Sequence, residues 1–194
     1  SSENGMAVAV DAAGAVWIGG GFFGNLDLDP GTGNTTVSAP GFEQQAFIVQ
    51  LDADGDFLFG GHMGGNGSDG VQDLKVDAAG AMIAVGNFGA RGDLDPGAGD
   101  VQLPHLGGPD TFVLKFSAAG HLLHAASMAS AAYDQPRALA TGPNGAIMIT
   151  GGFDGSIDLD PGVGDALFTS NGISDVYVLL LVNSASPTPG SRSM

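Results

Sequence analysis

The sequence predicts an all-β protein made of three similar antiparallel units, and three observations predict it. A stretch of about 65 residues recurs along the chain. Apolar segments with period-2 alternation are separated by turns that end in glycine. The acids are of the turn-forming kind: of 21 acidic residues 19 are Asp and 2 are the helix-favouring Glu, and no segment carries a capped helical stripe.

The repeat is read directly. Asp27-Leu28-Asp29-Pro30-Gly31 returns at Asp93 to Gly97 and at Asp158 to Gly162, at spacings of 66 and 65 residues. Gly14, Gly80 and Gly145 keep that offset, as do Phe22, Phe88 and Phe153. Phe47, Phe112 and Tyr177 follow the same spacing, and Asp69 matches Asp134. The units cover 3–68, 69–133 and 134–183, and a Ser/Pro-rich tail or linker occupies 184–194.

The elements are clearest in the second unit. Val71 to Val76 leads into the hairpin turn Asp77-Ala78-Ala79-Gly80 and then Met82 to Phe88. After the Asp-Pro-Gly loop, a short strand is expected at Val101 to Leu103. Thr111 to Phe116 follows, with Lys115 between two apolar neighbours, as a half-buried strand requires. The turn Ser117-Ala118-Ala119-Gly120 then leads to Leu122 to Met128. In the first unit, Asp52-Ala53-Asp54-Gly55 makes the second turn. In the third, the strand from Tyr177 to Val182 ends the pattern, with no counterpart of Leu58–Met63 or Leu123–Met128.

Four antiparallel strands per unit, repeated, predict β-propeller-type blades. A β-solenoid is the competing architecture, but its coils are shorter and its Gly-Gly-x-Gly-x-Asp repeat is missing. Propellers typically have four to eight blades, so three units form a partial ring, completed by further repeats of a longer chain or by self-association. Open strand edges are the expected route of that association.

Charge and composition narrow the function. Five Lys and Arg against 21 acids give −16, which excludes the positive footprint that nucleic acids and anionic membranes require. Without cysteine there are no disulfides, thiolate metal sites or thiol catalysis. No run of 18 apolar residues predicts membrane insertion. The start at Ser1, without a signal peptide, is expected of a mature product or a fragment.

The segments Asp110-Thr111-Phe112-Val113-Leu114-Lys115-Phe116-Ser117-Ala118-Ala119-Gly120-His121-Leu122-Leu123 and Val10-Asp11-Ala12-Ala13-Gly14-Ala15-Val16-Trp17-Ile18-Gly19-Gly20 carry a resemblance. They resemble the seven-bladed type of β-propeller repeat found in bacterial secreted and surface proteins, with an Asp-Leu-Asp-Pro-Gly loop added in each unit. The resemblance covers all three units. It implies a propeller blade, an extracellular or cell-surface location and a non-catalytic role. Two departures bear on ring size: His124 stands where Phe59 places the aromatic of the first unit, and the family has more repeats than three.

The repeated acidic loop is the candidate site. Its oxygen-bearing residues are Asp27, Asp29 and Asn34; Asp93, Asp95 and Asp100; and Asp158, Asp160 and Asp165. In an extended segment the first two side chains share a face, and the Pro-Gly turn returns the third towards them. Calcium takes six to eight such hard oxygens, so these nine residues are the expected metal ligands and calcium the expected cofactor. The alternative is structural: Asp caps its own backbone in Asx-turns.

Other motifs carry less. Gly19-x-Gly21-x-x-Gly24 follows a strand but precedes no helix, so it is not a dinucleotide fingerprint. Arg91-Gly92-Asp93 occurs once and shares its Asp with the second loop. His62, His105, His121 and His124 lie in no nucleophile or metal pattern. Trp17, Phe22, Phe23, Phe47, Phe57, Phe88, Phe112 and Phe153 are read as core between units. Together these predict no enzyme. The expected function is a secreted or surface structural and interaction module stabilised by calcium, with itself, a surface protein or a glycan as partner. A carbohydrate-binding, lectin-like propeller is the alternative, weakened because Trp17 is replaced by Ile83 and Met148 in the other units.

Overall fold

The computed structural model describes residues 2–142, 145–160 and 166–181. Their ordered elements are all strands: β1 (Ser2–Val10), β2 (Val16–Phe23), β3 (Asn25–Asp27), β4 (Thr36–Ser38), β5 (Gln45–Leu51), β6 (Phe57–Gly65), β7 (Gly70–Val76), β8 (Met82–Phe88), β9 (Gly92–Asp93), β10 (Asp110–Phe116), β11 (Leu122–Met128), β12 (Asp134–Thr141), β13 (Ile147–Asp158) and β14 (Leu167–Leu181). They form antiparallel sheets ordered β1-β2-β5-β6-β9, β11-β10-β8-β7, β12-β13-β14 and β3-β4. Each predicted unit supplies one main meandering sheet; the first is extended by β9 from the second unit, and β3-β4 of the first unit form a small sheet of their own. Among the described residues the sheets do not close a ring.

The hairpins are made by one repeated device. At Asp77 the amide of Gly80 donates to the Asp77 carbonyl, and the Asp77 amide donates to Ala81 O. The Asp77 carboxylate accepts from the amides of Ala79 and Ala81 at 2.9 and 3.0 Å. Gly80 sits at φ 81°, the left-handed position that completes a type I turn with a G1 bulge. Asp11 and Asp52 clip their turns in the same way, and the Ser117 hydroxyl does so for the fourth.

Alternation along the strands sets the stacking. Trp17, Ala46, Ile48 and Met63 of the first sheet bury against Leu74, Met82, Ala84, Phe112, Leu114 and Phe116 of the second. Ile83, Val85 and Val113, on the opposite face of the second sheet, bury against Leu139, Ile149, Phe153, Tyr177 and Leu179 of the third. The middle sheet is therefore covered on both sides. The sheets approach closely where side chains are small: a Cβ on Gly19 would stand 2.7 Å from Val71.

One feature recurs at the same place in every sheet. Gly20, Gly86 and Gly151 pair across the strands with Phe47, Phe112 and Tyr177. On their other side, the first strand of each unit is bulged at Gly5/Ala7, Val71/Asp73 and Pro136/Ala138. A Cβ on Gly86 would come 2.1 Å from Gly70 O and 2.4 Å from the Phe112 ring, so the bulge and the ring both need glycine there.

Several expectations change. Residues 101–103 form no strand, although the equivalent arm of the first unit, from Thr35 on, contains β4. Pro104, which has no amide to donate, directly follows them. In the third unit the corresponding arm is fused into β14, which pairs with β13 from Asp158↔Leu167 to Ile147↔Leu181. Phe23 is 39% exposed and is not core, whereas Trp17, Phe22, Phe88 and Phe112 are fully buried. The end of the predicted Tyr177–Val182 strand, the question of a fourth strand after it and the tail at 184–194 lie outside the described residues.

Candidate functional site

Each acidic loop is built by the same hydrogen bonds. The Asp27 Oδ1 accepts from the amides of Asp29 (3.1 Å) and Thr35 (2.9 Å). Asp93 Oδ1 accepts from Asp95 and Val101, each at 2.9 Å, and Asp158 Oδ1 from Asp160 and Ala166, also at 2.9 Å. The first aspartate thus ties the two ends of the loop together. Beside it the Leu28, Leu94 and Leu159 amides donate to the carbonyls of Thr35, Val101 and Ala166. The leucines themselves are buried, at 5%, 1% and 8% exposure, and anchor the loop in the apolar layers.

The second aspartate turns inward. Asp29 Oδ1 accepts from the Gly31 amide, and Asp95 Oδ1 from Gly97, each at 2.8 Å. A Cβ on Gly99 would lie 2.1 Å from Asp95 Oδ2, so the carboxylate occupies the space that the glycine leaves. The same holds for Gly33 and Asp29. This accounts for the Asp-Pro-Gly-x-Gly spacing in terms of backbone geometry.

The third position of each loop varies. The Asn34 amide group donates to Asp27 Oδ2 at 3.4 Å while its own oxygen accepts from the Thr36 hydroxyl. Asp100 Oδ1 accepts from the Gln102 side chain at 3.4 Å. Asp165 lies outside the described residues. Among the described residues no three His, Asp or Glu side chains gather where an ion could be held.

The loops also reach back to the preceding unit. β9, at the start of the second loop, pairs with the end of β6, Gly64↔Asp93 and Gly65↔Gly92. A Cβ on Gly61 would stand 2.1 Å from Pro96 O, so this loop lies directly on β6. In the third unit Ile157 bridges to Ser130, and Asp158 and Asp160 flank a groove with Pro104, Leu106 and Ser127. The acidic loop is a clasp between neighbouring sheets.

Sequence reasoning paired Asp69 with Asp134 but gave them no role. Both are fully buried, as is Asp110, and all three stand near the clasps. Between the first and second sheets the cluster is satisfied. Asp69 accepts from the amides of Gly65 and Gly89, each at 2.9 Å, and from the Gln45 side chain at 3.2 Å. Burial still pushes its pKa up to about 6. Between the second and third sheets, Asp110 stands in the place of Gln45. It accepts from the amides of Leu106 and Ser130, each at 2.9 Å. An aspartate offers no side-chain donor in return, and among the described residues only Ser130 stands close enough to Asp134 to favour its charged form. Burial raises Asp134 to about 7; Ser130 offsets this in part, and the charges of Asp110 and Asp154 add to the rise. Tyr177, pushed up to about 12 by burial, and Thr111 complete a buried polar pocket there. The signal legible in the sequence was the Gln45-to-Asp110 exchange at a repeat-equivalent position.

Two of the four histidines pack against aromatic rings, whereas His121 and His124 are exposed. His62 meets the Phe22 ring edge-on, and His105 lies 5.7 Å from the Phe88 ring with its Nε2 3.9 Å from Asp110. No family model matches this chain, and no curated protein matches it in sequence.

Proposed function

We propose that this chain is a non-catalytic structural and interaction module, secreted or displayed at a bacterial surface, whose three sheets are blades of the β-propeller type. One observation carries the reading: the same loop, with the same aspartate clip and the same buried leucine, recurs in every unit. In the second and third units it is set against the preceding sheet. A catalytic centre needs one asymmetric set of groups, whereas a repeated one suits construction and multivalent contact.

Calcium is part of this proposal. Two carboxylates two residues apart recur in each loop of a chain at −16, and a divalent cation relieves their repulsion. Melting the protein in about 5 mM Ca²⁺ against excess EDTA tests it. A cation held only by the folded state at a hundredfold excess over its Kd adds about 2.7 kcal/mol. For a chain of this size that raises Tm by roughly 5–10 °C. An unchanged midpoint removes calcium and leaves the loops as hydrogen-bonded clasps. A glycan array that lights up would replace the structural reading with the lectin-like one.

A further inference from the structure

The stacking of the sheets has a direction, and among the described residues it leaves an apolar face exposed on the first sheet and on the third. Each sheet turns one face towards the unit before it and the other towards the unit after it. On the later-facing side of the second sheet, Ile83 and Val113 are 0% and 2% exposed beneath the third sheet. Their equivalents on the third sheet, Met148 and Val178, are 45% and 73% exposed. Val176 and Leu180 of the same face are open as well, at 80% and 54%.

The other end is the complement. Leu74 and Leu139, on the earlier-facing side of the second and third sheets, are buried in the two apolar layers. Val8 is their equivalent in β1, fixed by register: Val8 pairs with Ile18 as Leu74 pairs with Ala84 and Leu139 with Ile149. It is 65% exposed, and Met6 and Val10 beside it are 48% and 60% exposed. The remainder of that face is already covered as in the other units, by Leu28 and its loop over Phe22, Phe47 and Val49.

We propose that a second copy of this chain docks head to tail, its β1 face with Met6, Val8 and Val10 seated on the Met148, Val176, Val178 and Leu180 face of the third sheet. The proposal rests on reading the sheets as stacking blades and names what the third sheet stacks upon. A second copy is the occupant because the chain carries both mating surfaces and joins surfaces of this kind twice within itself. The contact is heterologous, so it generates a ring where the rotation closes and a filament where it does not. Two molecules at −16 repel, so salt favours the contact by screening charge and by strengthening apolar association.

Sedimentation velocity from about 1 to 100 µM, with circular dichroism on the same samples, tests this. The expected result is a species of at least twice 19.2 kDa that grows with concentration and with salt. Val8→Asp and Val178→Asp each place a charge in the contact and weaken association at least ~100-fold. Each retains the surface that the other has lost, so mixing the two monomeric variants must restore a dimer. A folded wild-type chain that remains at 19.2 kDa at 100 µM overturns the proposal and leaves the blade reading intact. So does a mixture of the variants that fails to associate. Loss of the β signal in the wild type would instead sink the blade reading itself.

Discussion

Asp134 is the residue at which one substitution between repeats has the largest consequence. The folded protein raises its carboxyl from the usual 3.8 to about 7, because burial strips water from the charged form, Ser130 compensates only in part, and the Asp110 and Asp154 charges add to the rise. A raised folded pKa means that the native state binds the proton more tightly than the unfolded chain. The stability it contributes is therefore fully present below pH 3.8 and is lost as pH rises through about 7. Asp69, raised to about 6, acts in the same direction over a narrower window. Tm should fall between pH 4.5 and 8. Asp134→Asn should flatten most of that slope and raise Tm at pH 8. Asp110→Gln, which restores the donor that Gln45 supplies to Asp69, should do the same. A wild-type Tm independent of pH would contradict the assignment. The repeat offset made both aspartates visible in the sequence, but their burial and the donors they meet depend on which sheets pack there, and no local pattern encodes that.

At the scale of the elements, the acidic loop and the glycine–aromatic bulge are the two devices each unit repeats. Asp93→Ala removes the acceptor of two backbone amides at the neck of its loop, a loss of about 1–3 kcal/mol. Leu94→Ala removes the buried anchor and costs about 2–5 kcal/mol. Thermal melts of both variants in EDTA check this, since the clip and anchor act without a metal. Asp93→Ala with an unchanged midpoint would deprive the clip of its role. Gly86→Ala must displace either Gly70 or the Phe112 ring, so it should destabilise by at least about 2 kcal/mol, far more than an exposed glycine such as Gly172. Strand positions were legible because alternation and Asp-x-x-Gly turns are local signals, and β8 and β11 match the sequence reading residue for residue. The path of the loop arm was not. The same stretch forms the hairpin β3–β4 in one unit, an irregular run beside Pro104 in the next and the first part of β14 in the third. Its choice is made by the neighbouring sheet, and the repeat alone does not reveal it.

For the whole molecule, stability follows from stacking, and stacking is unequal along the chain. β8 and β10 are buried on both faces, whereas β1 and β14 each expose one face among the described residues. A repeat array gains stability from each unit and from each interface, so a unit with two interfaces opens last. Hydrogen exchange should rank the amides accordingly. Those of Met82–Phe88 and Asp110–Phe116 should approach the protection of global unfolding, and those of Ser2–Val10 and Ile173–Leu181 should exchange through local opening. The ordering has a further use, because docking of a second copy would cover both end faces at once. Protection of β1 and the later-facing side of β14 should then rise with protein concentration, while that of β8 stays constant. Uniform protection at every concentration would mean that the three sheets unfold as one block, and that the end faces are no weaker than the middle.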